Sequence, residues 1–162
     1  REDFADFELI DEKPDAVGMG DLHTGFTWQR LDRLFRMLLD GARLVALHRN
    51  RFCLRGTQLA LDLGPFVAAL EYAAGTQALV VGKPSEPFFA SAVENMGLER
   101  SDVVMVGDDI EADIGGALAA GLRGVQVRTG KHSPRDDEHP RVKATGRVPS
   151  IADLPRWLEK SG

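Results

Sequence analysis

Short apolar runs alternate with amphipathic stretches along this chain. The runs are too short for helices, and continuous apolar runs of this length are typical of strands buried on both faces of a parallel sheet. They cover residues 16–17, 44–47, 78–81, 103–106 and 125–127. The pattern predicts an α/β fold in which each strand is joined to the next by a right-handed crossover.

Between these runs, apolar residues recur at the three- and four-residue spacing of helices. The clearest case spans 27–40, where Thr27 is a suitable N-cap and Gly41 a suitable stop. Together with its flanking strands it predicts one βαβ unit over 16–48. Further helices are predicted over 66–74, 87–96 and 112–120 and after a capping-box-like start at Ser150. The segments 52–64 and 129–149 are predicted to be loops.

Composition narrows the function classes. The chain has 162 residues, 43% of them hydrophobic, and a net charge of −5 with mixed signs, so no basic face indicates nucleic-acid binding. No apolar run approaches the roughly 18 residues of a membrane span. Cys53 is the single cysteine, which excludes an intrachain disulfide and fits a reducing compartment. We therefore expect a cytoplasmic protein that binds neither nucleic acid nor membranes.

Acidic residues follow the strand at 103–106 directly. Asp108, Asp109 and Asp113 come after Gly107, at the carboxyl end of a buried strand, where open α/β sheets bind ligands. Crowded carboxylates repel one another unless a cation joins them, and Mg²⁺ takes oxygen ligands while keeping waters that a phosphate can displace. The alternative is structural: Asp109 could cap the next helix, and Asp113 could gain from the helix dipole.

Lys83 follows the strand at 78–81 in the same way. Its ammonium is expected at the same edge of the sheet as Asp108, where it could neutralise a phosphate or an attacking carboxylate. The alternative is an ordinary solvated lysine. Thr129-Gly130-Lys131 resembles part of a phosphate-binding Walker A loop, but Val125 and His132 occupy positions where that motif needs glycine and Ser or Thr.

A basic and polar cluster follows the strand at 44–47. It consists of His48, Arg49, Asn50 and Arg51. Such a cluster could contact an anionic substrate, or it could be a solvated turn.

Two of these motifs together resemble the haloacid dehalogenase (HAD) superfamily of Mg²⁺-dependent phosphohydrolases, in particular its subclass with a large α/β cap (type IIA). They are Gly82-Lys83-Pro84-Ser85 and Gly107-Asp108-Asp109-x-x-x-Asp113-Ile114-Gly115-Gly116-Ala117. The resemblance implies a Rossmann-like parallel sheet of HAD type. Residues 1–75 would be the later part of the cap, and 76–162 the later part of the catalytic core.

The same resemblance implies roles for individual residues. Asp108 would ligate Mg²⁺, Asp113 would orient ligands or waters, and Asp109 would assist at the metal. Lys83 would hold the phosphate and the nucleophile, and the cluster at 48–51 would face the substrate. The implied substrate is a small phosphate ester, a phosphoramidate such as a phospho-amino acid, or pyrophosphate. Oligomeric state stays open, with a homodimer as the candidate assembly.

The family's first motifs are missing from this chain. The Asp-x-Asp-Gly pair that supplies the nucleophile, and the Ser or Thr of the second motif, do not occur where expected and should lie upstream of Arg1. We therefore expect the later part of a longer phosphatase, whose strand at 103–106 has an unpaired apolar edge. By itself such a chain should be marginally stable or self-associating.

Two rival functions remain. A non-catalytic module derived from such an enzyme would bind phosphate-bearing ligands or a partner without turnover. A phosphoacceptor receiver domain also combines clustered Asp with Lys, but there the acidic pair precedes the lysine, whereas Lys83 precedes Asp108 here. The sequence does not identify the substrate.

Overall fold

The computed structural model describes residues 5–161, which form an α/β structure of eight strands and five α-helices. The strands are β1 Ala16–Met19, β2 Arg43–Ala46, β3 Phe52–Arg55, β4 Gln58–Leu61, β5 Leu79–Val80, β6 Val104–Gly107, β7 Arg123–Val127 and β8 Gly146–Val148. The helices are α1 Trp28–Leu39, α2 Leu63–Ala74, α3 Glu86–Met96, α4 Gly116–Ala119 and α5 Leu154–Ser161. Within the described residues, none of these helices is long and apolar enough to cross a membrane.

The first sheet has the order β1-β2-β5, and all of its strands are parallel. Helix α1 connects β1 to β2, which confirms the predicted βαβ unit. The hydroxyl oxygen of Thr27 accepts a hydrogen bond from the Arg30 amide, as predicted for its N-cap. Leu44 of β2 and Leu63 and Val67 of α2 are fully buried in the core of this part.

The segment predicted as a loop over 52–64 is instead an antiparallel hairpin, β3–β4. Gly56 and Thr57 form its two-residue turn. Gly56, with a φ of +61°, is a turn signal that the prediction did not use, because the residues on either side of it do not alternate strictly between apolar and polar. Helix α2 also begins earlier than predicted, since the Asp62 carboxylate caps it by accepting a hydrogen bond from the Leu63 amide.

The second sheet has the order β6-β7-β8 and is also parallel. Val125 and Val127 of β7 and Val148 of β8 pack in its core against Trp157 of α5. The predicted loop over 129–149 was therefore partly wrong, because it contains β8 and a short 3₁₀ helix at Pro134–Glu138. A three-residue strand without an apolar run gives no periodic signal.

Strand β6 lies at the edge of its sheet in the described part of the chain. It pairs with β7 on one side, and all four of its residues are only half-buried. A strand with so apolar a sequence is expected to be buried on both faces. The predicted unpaired apolar edge is therefore present among the described residues.

The division between 1–75 and 76–162 stays a prediction. Strand β5 follows the expected boundary, yet it hydrogen-bonds to β2 of the first part. This pairing favours a boundary a few residues further along, just after β5.

Candidate active site

An ion pair between a half-buried lysine and a buried aspartate joins the two motifs that the sequence singled out. The Lys83 ammonium donates a hydrogen bond to Oδ1 of Asp113 at 2.7 Å. The Lys83 side chain is 34% exposed, whereas that of Asp113 is 6% exposed. The sequence placed Lys83 at the same sheet edge as Asp108, whereas the structure pairs it with Asp113 and places β5 and β6 in different sheets of the described chain.

Asp113 uses both carboxylate oxygens within the protein. Oδ1 accepts from Lys83, and Oδ2 accepts a hydrogen bond from the Asp109 amide at 3.2 Å. A carboxylate held at both oxygens is suited to fixing the position of its partners. The geometry favours a positioning role for Asp113 at the acidic loop, which we define as residues 107–113.

Asp109 caps the helical segment that follows the acidic loop. Its Oδ1 accepts hydrogen bonds from the amides of Glu111 and Ala112 at 3.0 and 2.9 Å, and its Oδ2 pairs with the Lys131 ammonium. That segment is a π-helical turn at Ile110–Gly115 followed by α4, where a single helix over 112–120 was predicted.

The charge state of Asp109 follows from these contacts. Burial disfavours the carboxylate, but the hydrogen bond from the Ala112 amide and the contact with Lys131 outweigh it. The pKa of Asp109 therefore lies below its ordinary value. Asp109 is thus ionised near neutral pH, and the Lys131 ammonium balances its charge.

Asp108 differs from the other two aspartates, because its carboxylate contacts no lysine ammonium in the described structure. Its Oδ2 accepts a hydrogen bond from the Lys131 main-chain amide at 2.7 Å. The approach is close: a Cβ on Gly130 would lie 2.0 Å from this oxygen, and Gly130 has a φ of +62°. Glycine is therefore required here for Lys131 to present its amide to Asp108.

The carboxylate oxygens of the acidic loop are ligands of the kind that Mg²⁺ prefers. Mg²⁺ prefers oxygen ligands and is usually held by one or two carboxylates, with waters and substrate phosphates completing the shell. Asp108 supplies one such carboxylate. Among residues 5–161 no group of three or more His, Cys, Asp or Glu side chains is arranged to hold a metal ion. The metal roles of Asp108, Asp109 and Asp113 therefore stay predictions.

The basic loop, residues 48–51, lies beside the turn that carries Lys83. The Arg49 amide donates a hydrogen bond to the Lys83 carbonyl at 3.3 Å. Arg51 reaches the acidic loop, with Nη2 lying 3.2 Å from Oε2 of Glu111. The basic loop, which was predicted to face the substrate, therefore contacts both the Lys83 turn and the acidic loop.

The side chains of His48 and Arg49 in the basic loop have partners within the first part of the chain. Arg49 pairs with Glu71 at 2.6 Å, and Nε2 of His48 lies 3.7 Å from Oδ1 of Asp62. The side-chain oxygen Oδ1 of Asn50 is buried without a hydrogen-bond partner among the described atoms. Arg51 thus remains the best-placed member of this loop for contact with an anion.

Sequence reasoning missed two residues of the site. Gln126 is fully buried, and its Nε2 donates to the main-chain oxygen of Asp108 at 3.3 Å. A glutamine inside an otherwise apolar strand was the signal that could have revealed it. Lys131 was considered only as part of a failed Walker A motif, although both its amide and its ammonium contact the acidic loop.

The fold and the site define the class of this protein. Parallel strands that present a lysine after one strand and an aspartate loop after another are the arrangement of the HAD hydrolases, and a family model described as HAD-hydrolase-like matches residues 80–154. The chain belongs to this family.

Relatives and solved structures agree with this assignment. The bovine (Bos taurus) phospholysine phosphohistidine inorganic pyrophosphate phosphatase is 44% identical over 152 residues, which are 92% of this chain and 56% of that protein. A 4-nitrophenylphosphatase structure from Thermotoga maritima matches with a TM-score of 0.82 at 27% identity, covering 92% and 57% of the two chains. A glycerol phosphate phosphatase from Mycobacterium tuberculosis, in complex with magnesium, matches with a TM-score of 0.75 at 31% identity, covering 89% and 44%. The chain therefore spans about half the length of the proteins it matches.

Proposed function

We propose that this chain contributes the lysine and acidic-loop half of a Mg²⁺-dependent phosphohydrolase site. The observation that carries the proposal is the buried pair between Lys83 and Asp113, which fixes the acidic loop beside the basic loop. Two further facts support it: the relatives named above are called phosphatases, and one matched structure is a magnesium complex.

Each residue would have a distinct role. Asp108 would ligate Mg²⁺, which when bound offsets the charge that develops on a transferred phosphoryl group. Lys83 would hold the phosphate by charge, while Asp113 keeps the ammonium in place. Asp109 would support Asp108 from the start of the following helical segment. The nucleophile would be a carboxylate of the complete protein that forms an aspartyl-phosphate.

The name of the bovine relative suggests the substrate class. That protein is called a phosphatase of phospholysine, phosphohistidine and inorganic pyrophosphate. We propose a small phosphoramidate or pyrophosphate as the substrate of this site, with phosphate esters as the broader class. Arg51 is the residue of the basic loop placed to contact the anionic group.

Substitution of Asp108 in the full-length protein tests the proposal. Asp108→Asn keeps the side-chain size and removes the charge, so Mg²⁺-dependent turnover of pyrophosphate or a phosphoramidate should fall by about 100-fold or more. Mg²⁺ binding, measured by calorimetry, should weaken in parallel. Asp40→Asn, at an exposed position after α1, is the matched control and should keep both properties.

The outcomes separate the proposal from its rival. Undiminished turnover in the Asp108→Asn variant would contradict the site assignment. If the full-length protein binds phosphate-bearing ligands but hydrolyses none of them, it is a binding module and the proposed catalysis is wrong.

A further inference from the structure

One lysine connects two parts of the chain that are far apart in sequence. The Lys131 ammonium contacts the Asp109 carboxylate of the acidic loop, and it also donates to the main-chain oxygen of Phe52 in the β3–β4 hairpin at 3.3 Å. It lies 5.7 Å from the centroid of the Phe52 ring, within the range of a cation–π interaction. Its main-chain amide also donates a hydrogen bond to the Asp108 carboxylate, so Lys131 alone contacts the hairpin, Asp108 and Asp109.

Burial makes this connection strong. The side chain of Lys131 is 12% exposed and that of Asp109 is 19% exposed, so solvent screens their contact little. The neighbouring pair between Arg51 and Glu111 also links the hairpin end to the acidic loop, but its side chains are 70% and 40% exposed. An exposed pair contributes little, so Lys131 should dominate the attachment.

We propose that Lys131 is a positioning residue that fixes the β3–β4 hairpin against the acidic loop and thereby sets the affinity of the site for its substrate. The link to substrate rests on the proposed function. The Lys131 ammonium cannot satisfy both Asp109 and the Phe52 carbonyl unless the hairpin lies against the loop. The hairpin carries the end of the basic loop at Arg51, so its attachment determines where that arginine stands.

Hydrogen exchange in the full-length protein tests the attachment without any metal or substrate. Lys131→Met keeps the length of the side chain and removes the ammonium, so amides of residues 52–61 should exchange about tenfold faster or more, as expected for loss of a hydrogen bond to a charged group. Amides of β7 should keep their rates. Lys131→Arg retains a cation that reaches both partners and should restore most of the protection. Lys143→Met, at an exposed position, is the control and should change nothing.

Two exchange results would overturn the proposal. In the first, the hairpin of the Lys131→Met variant exchanges at the wild-type rate. In the second, exchange rises uniformly across both sheets, which would show a general structural role for Lys131.

Steady-state kinetics test the consequence for substrate. Lys131→Met should raise KM about tenfold while kcat changes less than about threefold, because the loss of hairpin attachment weakens binding in the ground state and the transition state alike. Lys131→Arg should restore KM, and an unchanged KM would refute the link to affinity. If the wild-type protein hydrolyses nothing, the proposed function fails and the link to substrate fails with it, whereas hydrogen exchange still decides whether Lys131 attaches the hairpin.

Discussion

Removal of the Lys83 ammonium should destabilise the protein through the carboxylate that it leaves behind. The Asp113 side chain is 6% exposed and loses its counter-ion in the Lys83→Met variant. Breaking a buried ion pair by removal of one partner costs about 3–5 kcal/mol. Asp113 keeps the hydrogen bond from the Asp109 amide, and Lys83 is one-third exposed, so we expect the lower end, about 3 kcal/mol.

The opposite substitution should cost much less. In Asp113→Asn the amide oxygen can still accept the hydrogen bond from Asp109, and the Lys83 ammonium can turn toward water because it is already 34% exposed. We expect a loss of about 1 kcal/mol, the size of one neutral hydrogen bond. The double variant Lys83→Met/Asp113→Asn should be about as stable as Asp113→Asn, which gives a coupling free energy of about 3 kcal/mol.

Urea denaturation at neutral pH, followed by circular dichroism, measures all of these free energies of unfolding. Lys143→Met, at an exposed position, controls for the loss of a lysine. The reasoning is refuted if Lys83→Met costs less than about 1 kcal/mol or if the two single losses simply add.

Three further predictions concern the rest of the fold. A Cβ at Gly116 would lie 2.7 Å from the Phe89 ring of α3, so Gly116→Val should lower stability by about 1–3 kcal/mol in thermal denaturation. Gly18→Ala is the control and should leave stability unchanged, because a Cβ there would have no atom within 4 Å. Equal losses of stability in the two variants would contradict this prediction. The pKa of Asp21 is lowered by the hydrogen bond from the His23 amide and, against desolvation, by Arg55, so its carboxylate stabilises the fold above about pH 4 and this contribution disappears as the pH falls through the lowered pKa. Asp21→Asn should therefore cost less than about 1 kcal/mol at pH 7, and the cost should shrink as the pH falls through the lowered pKa; a loss that does not shrink in acid would contradict the assignment. The edge of β6, unpaired among the described residues, should make the 162-residue chain self-associate as its concentration rises. A monodisperse monomer in sedimentation that also melts cooperatively in thermal denaturation would refute this prediction.

The elements that could be predicted from the sequence are those whose local signal agrees with their environment. Strand β7 was predicted from Val125 and Val127, which flank Gln126, and α1 combines helical spacing with a cap at Thr27 that the structure confirms. The hairpin β3–β4 is local and was missed because its strands do not alternate strictly between apolar and polar residues, whereas β8 was missed because a distant partner determines its pairing. Strand β8 is defined by its register with β7, in which Val127 pairs with Val148, and its own three residues carry no periodic signal.

An approach of Lys83 to the acidic loop was predictable because each follows a strand of a parallel sheet, although the sequence placed the lysine beside Asp108 and the structure pairs it with Asp113. Which lysine pairs with which aspartate could not be predicted from the sequence. Lys131 lies 22 residues from Asp109 in the chain, and its approach depends on the turn at Gly130 after β7. Such a contact follows from the packed structure, so sequence spacing gives no measure of it.

The charge balance of the acidic loop distinguishes its three aspartates. Lys83 neutralises Asp113 and Lys131 neutralises Asp109, whereas Asp108 is held through a neutral main-chain amide. The proposed site would have to accept both a divalent cation and an anionic phosphate, and three uncompensated carboxylates would repel the phosphate. One uncompensated carboxylate attracts the cation without excluding the anion. This balance supports the proposal that Asp108 ligates the metal while Asp109 and Asp113 hold the loop in place.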